Sequence, residues 1–133
     1  MSIKKNPILR HRFSQKNKDI FTEINTSIDF DKFMFNEDIE GSIAHAEMLS
    51  NQKIITISEK NKIISGLKKI LLEIKNNKFI FKPELEDIHM NIESRLQELV
   101  GDTAGKLHIA RSRNDQVVTD LKLWLRKDID LIL

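Results

Sequence analysis

The sequence predicts an all-α fold, on three observations. Its 133 residues include only four Gly and two Pro, so tight turns are few and long elements are favoured. Apolar residues recur at helical spacing in four separate segments. The last segment is apolar on a face wide enough to demand burial.

The chain opens on an irregular arm over residues 1–28, polar with isolated apolar residues. The first helix is expected from about Asp31 to Leu49, where Phe35, Ile39, Ile43, Ala46 and Leu49 share a stripe. Asp29 or Asp31 is the expected cap, because a short carboxylate accepts from the free N–H groups of the first turn. Gly41 lies inside this helix at a cost of about 1 kcal/mol against Ala, which close packing on another backbone would explain. A second helix is expected from about Glu59 to Lys75, with Ser58 as its cap and Ile63, Leu67, Ile70 and Ile74 as its stripe. Asn76 and Asn77 suit its left-handed end. Pro83 is placed to begin a third helix that runs to about Val100 and stops at Gly101. Residues 101–113, GDTAGKLHIARSR, read as a loop dense in polar groups. The fourth helix begins at about Asn114 and carries Val118, Leu121, Leu125, Ile129 and Ile132 on one side. Its length of roughly 30 Å has no stop signal, so the chain is expected to continue beyond it.

Composition bounds the function. Forty per cent hydrophobic with 32% charged residues suits a globular protein and excludes wholesale disorder. No apolar run reaches the eighteen or so residues of a membrane helix. The absence of cysteine excludes disulfides, thiolate metal sites and a Cys nucleophile, and suits a reducing compartment. Residues 1–18 carry six Lys/Arg and no Asp/Glu, while the rest carries sixteen basic and twenty acidic side chains. Such an arm reads as a solvated tail. Without aromatic interleaving beyond Phe13 it does not support a nucleic-acid platform. Met1 to Lys18 lacks the apolar stretch of a secretory signal.

Three clusters carry potential chemistry. Lys106, His108, Arg111, Ser112, Arg113 and Asn114 fall within nine residues at the start of a helix. Unpaired N–H groups and the helix dipole favour an anion there, and Arg offers a planar fork that matches a carboxylate. The alternative is a capped helix beside a solvated basic loop. Glu86, His89 and Glu93 share a helical face at a spacing that can bind a divalent metal, but acidic groups near a helix start also simply complement its dipole. A carboxylate beside His89 would set its tautomer and raise its pKa. Asn25-Thr26-Ser27 could cap the first helix or donate to a ligand. His45, one residue off the main stripe, reads as structural. The sequence contains no Gly-rich phosphate loop, zinc spacing or dinucleotide fingerprint.

The segment EDIHMNIESRLQELVGDTAGKLHIARSRNDQVVTDLKLWLR (Glu86 to Arg126) closely resembles the amino-terminal region of the argininosuccinate lyase family. The upstream NTSIDFDKFMFNEDIEGSIAHAEML (Asn25 to Leu49) and Arg12-Phe13 fit the same pattern, so the resemblance covers the chain from about residue 10 onward. Its SRND run, followed by QV, Thr-Asp and LWLR, separates this family from fumarase, aspartase and adenylosuccinate lyase.

The resemblance implies a small helical amino-terminal domain over residues 1–112. The first part of a long-helix central bundle domain then spans 113–133. It implies a carbon–nitrogen lyase that splits argininosuccinate into arginine and fumarate by β-elimination, in arginine biosynthesis and the urea cycle. It further implies a cytoplasmic homotetramer with no metal or organic cofactor and neither nucleic-acid nor membrane partners. By the same resemblance Ser27 and Asn114 contact substrate, Ser112 and Arg113 hold its succinyl carboxylates, and Asp87 and His89 order the site. The family's acid–base His and catalytic Ser lie further downstream, so the 133-residue piece is expected to be inactive alone. Two departures stand out: Ile109-Ala110 replaces the usual Thr-Gly, and Arg10-His11 replaces Gly-Gly. The alternatives are a non-catalytic helical oligomerisation module and a different lyase of the fumarase/aspartase superfamily.

Overall fold

A computed structural model describes residues 24–133. The expected arm over 1–28, with its basic cluster and Arg10-His11, lies outside them except for its last five residues. The described residues are helical, with no strand among them. A short turn of helix, α1 (Ile28–Asp31), leads through a 3₁₀ segment (Lys32–Met34) into α2 (Phe35–Asn51). α3 (Ile57–Lys75), α4 (Ile88–Val100) and α5 (Arg113–Ile132) follow, with 3₁₀ segments at Pro83–Leu85 and Gly101–His108 between them.

The expected stripes build the core. Ile39, Ala46 and Leu49 of α2 meet Ile63, Leu67, Ile70 and Ile74 of α3 and Ile88, Ile92 and Leu96 of α4. α3 packs on both α2 and α4, and α5 packs on α2. Burying a branched aliphatic side chain contributes about 1.5–3 kcal/mol, so the nine Ile and Leu residues among these are the main apolar contribution to folding. Gly66 lets α4 close on α3. A Cβ there would meet Leu96 Cδ1 at 2.6 Å and Val100 Cγ1 at 3.0 Å.

Several boundaries differ from the expectation, each for a local reason. Asp31 does not cap the helix that follows it. Its carboxylate accepts from the Ile88 N–H (3.1 Å) and from Ser27 Oγ (2.6 Å), which ties α1 to α4. α3 begins two residues early because Thr56, not Ser58, caps it. Thr56 Oγ1 accepts from the Glu59 N–H (3.2 Å), and the Glu59 carboxylate accepts in return from the Thr56 N–H (2.8 Å). The helix from Pro83 is broken at Glu86, whose φ of 68° is left-handed. That twist lets the Glu86 carbonyl accept from the Ser27 and Ile28 N–H groups, and α4 restarts with Asp87 as its cap on the Met90 N–H (2.6 Å). Asn77 (φ 55°) and Gly101 (φ 65°) end α3 and α4 in the left-handed region, as expected. The segment read as a loop forms the 3₁₀ turns of Gly101–His108.

α5 docks by its polar side. Its buried residues are Gln116 and Asp120, and Lys127 continues that face by pairing with Glu37 (2.9 Å) and Glu40 (2.8 Å) of α2. The apolar stripe faces away, with Leu121 44% and Ile129 52% exposed. Gly41 makes room for this contact. Its expected neighbour was a backbone, but a Cβ there would instead lie 3.3 Å from Asp120 Oδ1.

Candidate functional site

The turn from His108 to Asn114 is held from two sides. His45 Nε2 donates to the Ile109 carbonyl (2.9 Å), which gives that histidine its structural role. Arg111 donates to Ser42 Oγ (2.9 Å) on α2. Between them Ala110 adopts a φ of 57°. A left-handed Ala costs about 1–2 kcal/mol, and this is one of the two positions at which the chain departs from the Thr-Gly that the resemblance leads one to expect. Ala110→Gly is therefore expected to raise stability by about 0.5–1 kcal/mol, after the larger unfolded-state entropy of Gly is subtracted. Urea denaturation would check this, and a lower midpoint for the Gly variant would contradict it.

Ser112 opens α5. Its Oγ accepts from the Asn114 N–H (3.2 Å), and the side chains of Ser112 and Asn114 are exposed at the helix start. Arg113 lies half-buried beside them. One arm of its guanidinium donates to Glu93 Oε2 (2.9 Å) and the other to Gln116 Oε1 (2.9 Å). His108 Nε2 lies 2.8 Å from Glu93 Oε1. This contact and the Arg113 contact hold the Glu93 carboxyl below its ordinary range, against the opposing effect of burial. The other cations of the segment face elsewhere. Lys106 pairs with Glu59 at the start of α3, and that pairing pushes the Glu59 carboxyl down to about 2. Arg111 turns inward.

Ser27 sits on α1. It is stitched to the Glu86–Ile88 segment through its backbone and through Asp31, so Ser27 and that segment form one unit. Asp87 acts as the α4 cap. Glu86 lies outside the helix, while His89 projects into the body and Glu93, one turn on, lines the same small cavity.

There the structure assembles a group that spacing did not reveal. His89 Nδ1 lies 2.9 Å from Asp38 Oδ1 on α2 and 3.4 Å from Asp120 Oδ2 on α5. The Gln116 amide also donates to Asp38 Oδ1. His89, Asp38 and Asp120 are 2%, 1% and 0% exposed. Burial pushes Asp38 up, but the His89 hydrogen bond and charge outweigh it and leave the carboxyl below the ordinary range. Burial likewise pushes His89 down, and Asp38 more than reverses this. Asp120 is raised to about 8 by burial and by the Asp38 charge. Burial lowers the Arg111 guanidinium, which interacts with both carboxyls. A cavity of about 20 Å³, room for about one water, lies against Asp38, Ser42, His89 and Arg111.

Asp38, His89 and Asp120 offer three metal-ligand atoms within 4.8 Å of one another. His89 Nδ1 is already committed to Asp38, and the Arg111 charge competes with a cation for both carboxyls. The arrangement is better suited to holding protons and the α5 turn than to holding a metal. A periodic signal for it exists only in hindsight. Asp38 and Ser42 on α2, like Gln116 and Asp120 on α5, are four residues apart and share a face.

A lyase family profile matches residues 11–133. The chain belongs to the lyase family. Several of its relatives are named argininosuccinate lyase. It is 56% identical over 125 residues to argininosuccinate lyase of Ehrlichia chaffeensis, covering 94% of this chain and 27% of that protein. It is 54% identical over 118 residues to argininosuccinate lyase of Staphylococcus haemolyticus, covering 89% and 26%. With argininosuccinate lyase of Pelagibacter ubique the identity is 51% over 129 residues, covering 92% and 28%. The chain spans about a quarter of the length of these curated relatives. The lyase family assignment agrees with the expectation from the SRND and EDIH runs, as does the all-helical architecture. Among the described residues no helix is long and apolar enough to cross a membrane.

Proposed function

We propose that this chain forms the amino-terminal part of an argininosuccinate lyase. The carrying observation is 56% identity over 94% of the chain to a protein of that name. The cationic helix start at Ser112–Asn114 supports it. In this reading a base removes a proton beside a carboxylate of argininosuccinate, leaving a carbanion stabilised as an aci-carboxylate. The carbon–nitrogen bond then breaks, an acid protonates the departing guanidinium nitrogen, and fumarate and arginine result. Negative charge grows on the carboxylate, so donors fixed before the reaction lower its barrier most. Ser112 and Arg113 would hold the succinyl carboxylates, with Ser27 and Asn114 contacting the substrate. Glu93 and Gln116 fix the Arg113 fork, so it need not be ordered when substrate binds. Asp87 and His89 order the site from α4. The acid–base His and the catalytic Ser come from outside these residues, and the chain alone is expected not to turn substrate over.

The exposed apolar stripe of α5 fits a central bundle completed by further helices of the protein and of its copies in a homotetramer. A cytoplasmic place in arginine biosynthesis follows from the same reading. The test is a lyase assay on the complete protein, following fumarate by its ultraviolet absorbance. Turnover of argininosuccinate is expected, and activity on adenylosuccinate or aspartate instead would overturn the assignment. The same α5 stripe also suits a non-catalytic oligomerisation module. Sedimentation with a titration of argininosuccinate and fumarate distinguishes the two, since a tight oligomer that binds neither ligand would support the module.

A further inference from the structure

Three carboxylate oxygens stand out in the interior. Asp38 Oδ2 and both oxygens of Asp120 are buried without a hydrogen-bond partner. Every other contact around them is committed. From α2, Asp38 Oδ1 already accepts from His89 and Gln116, and Ser42 Oγ accepts from Arg111. From α4, His89 leans toward Asp38 at 2.9 Å and only distantly toward Asp120 at 3.4 Å, while Asp87 adds negative charge near the ring. From the turn before α5, Arg111 supplies a guanidinium charge, with Arg113 repelling it from the next turn. A buried carboxylate without donors is among the costliest groups a fold can carry. Two ionised carboxylates side by side add repulsion.

One proton resolves both problems. We propose that Asp120 is held as a neutral carboxylic acid whose O–H donates to the free oxygen of Asp38, and that this shared proton is the latch fixing α5 and its opening turn onto α2 and α4. The bond satisfies two of the three orphaned oxygens at once. It leaves a single net negative charge on the pair, facing His89 and Arg111. Asp120 is a positioning residue in this scheme, because Arg111, which interacts with both carboxyls, directly precedes Ser112–Asn114 in the chain, and Gln116, which Asp38 holds, follows two residues after it. The inference concerns the interior of this chain and stands whether or not argininosuccinate is the substrate.

The latch fails in alkali. The Asp120 carboxyl is raised in the folded state above its ordinary value of 3.8. Its stabilising contribution is therefore fully present below that value and is lost as pH rises through the folded value. Asp120→Asn replaces the O–H donor by an amide that cannot ionise. On raising the pH from mildly acid to mildly alkaline, wild type is expected to lose stability that the Asn variant keeps. The ratio of their unfolding constants should grow by up to about tenfold per pH unit, levelling once Asp120 has ionised. His89 titrates in both proteins and feels the Asp120 charge, so the difference between the two curves reports the ionisation that Asp120 adds to the cluster. Parallel stability curves for the two would overturn the latch.

A measurement on wild type alone covers the case in which the variant misfolds. NMR of isotope-labelled aspartate carboxyls in the intact chain should show one aspartate still protonated at neutral pH. If all aspartates titrate in the ordinary acid range, Asp120 is ionised and the proposal is wrong.

Discussion

Asp38→Ala is expected to destabilise the chain by about 3–5 kcal/mol, the cost of removing one partner from a buried charged pair. The carboxylate is the acceptor for His89 Nδ1 at 2.9 Å and for the Gln116 amide, and it balances the charge of Arg111. Truncation would leave the His89 ring and the Gln116 amide without their acceptor in a site from which water is nearly excluded. A domain of this size has only about 5–15 kcal/mol of total stability, so the variant should approach the folding threshold. Urea unfolding with an unchanged slope and a much lower midpoint is the expected result. Asp38→Asn keeps an acceptor oxygen and should cost less. It should also remove part of the acid sensitivity. The Asp38 carboxyl is held below its ordinary range, so its contribution is present above that range and lost as pH falls through the folded value. An Asp38→Ala chain as stable as wild type would show that the buried cluster contributes nothing.

Arg113→Ala, made in the complete protein, is expected to reduce kcat/KM for argininosuccinate by at least about 10- to 100-fold. A charge-assisted contact contributes about 1.5–3 kcal/mol, and more where charge develops in the transition state. Each 1.36 kcal/mol or so is tenfold in rate. The side chain is 31% exposed and its partner Glu93 43%, so the ion pair itself should contribute no more than about 1 kcal/mol to stability. Activity should therefore fall far more than thermal stability does. Arg113→Lys keeps the charge but not the fork and should lie between. Unchanged kinetics in the Ala variant would remove Arg113 from the substrate site.

How much of this was legible differs by residue. The stripes Ile63–Ile74 and Ile88–Leu96 were readable because a helix repeats its neighbours every three to four residues, whatever surrounds it. Asn77 and Gly101 were readable because few other residues tolerate a left-handed backbone. Thr56 and Glu59 carried a readable capping pattern that the adjacent Ser58 obscured. Glu86 was not readable. Its left-handed φ is imposed by the N–H groups of Ser27 and Ile28, some sixty residues away in the chain.

The candidate site divides in the same way. The gathering of Ser112, Arg113 and Asn114 at a helix start depends on neighbours along the chain and was visible there. The inward turn of Arg111 and the meeting of Asp38, His89 and Asp120 were not. Helical periodicity showed that α5 has an apolar and a polar side but not which of them meets the body. Local chemistry thus decided the helices, most of their ends and the cationic turn. The inward face of α5 and the buried carboxyl pair were decided by packing, because the free energy of burying a charge depends on partners brought together from three distant helices.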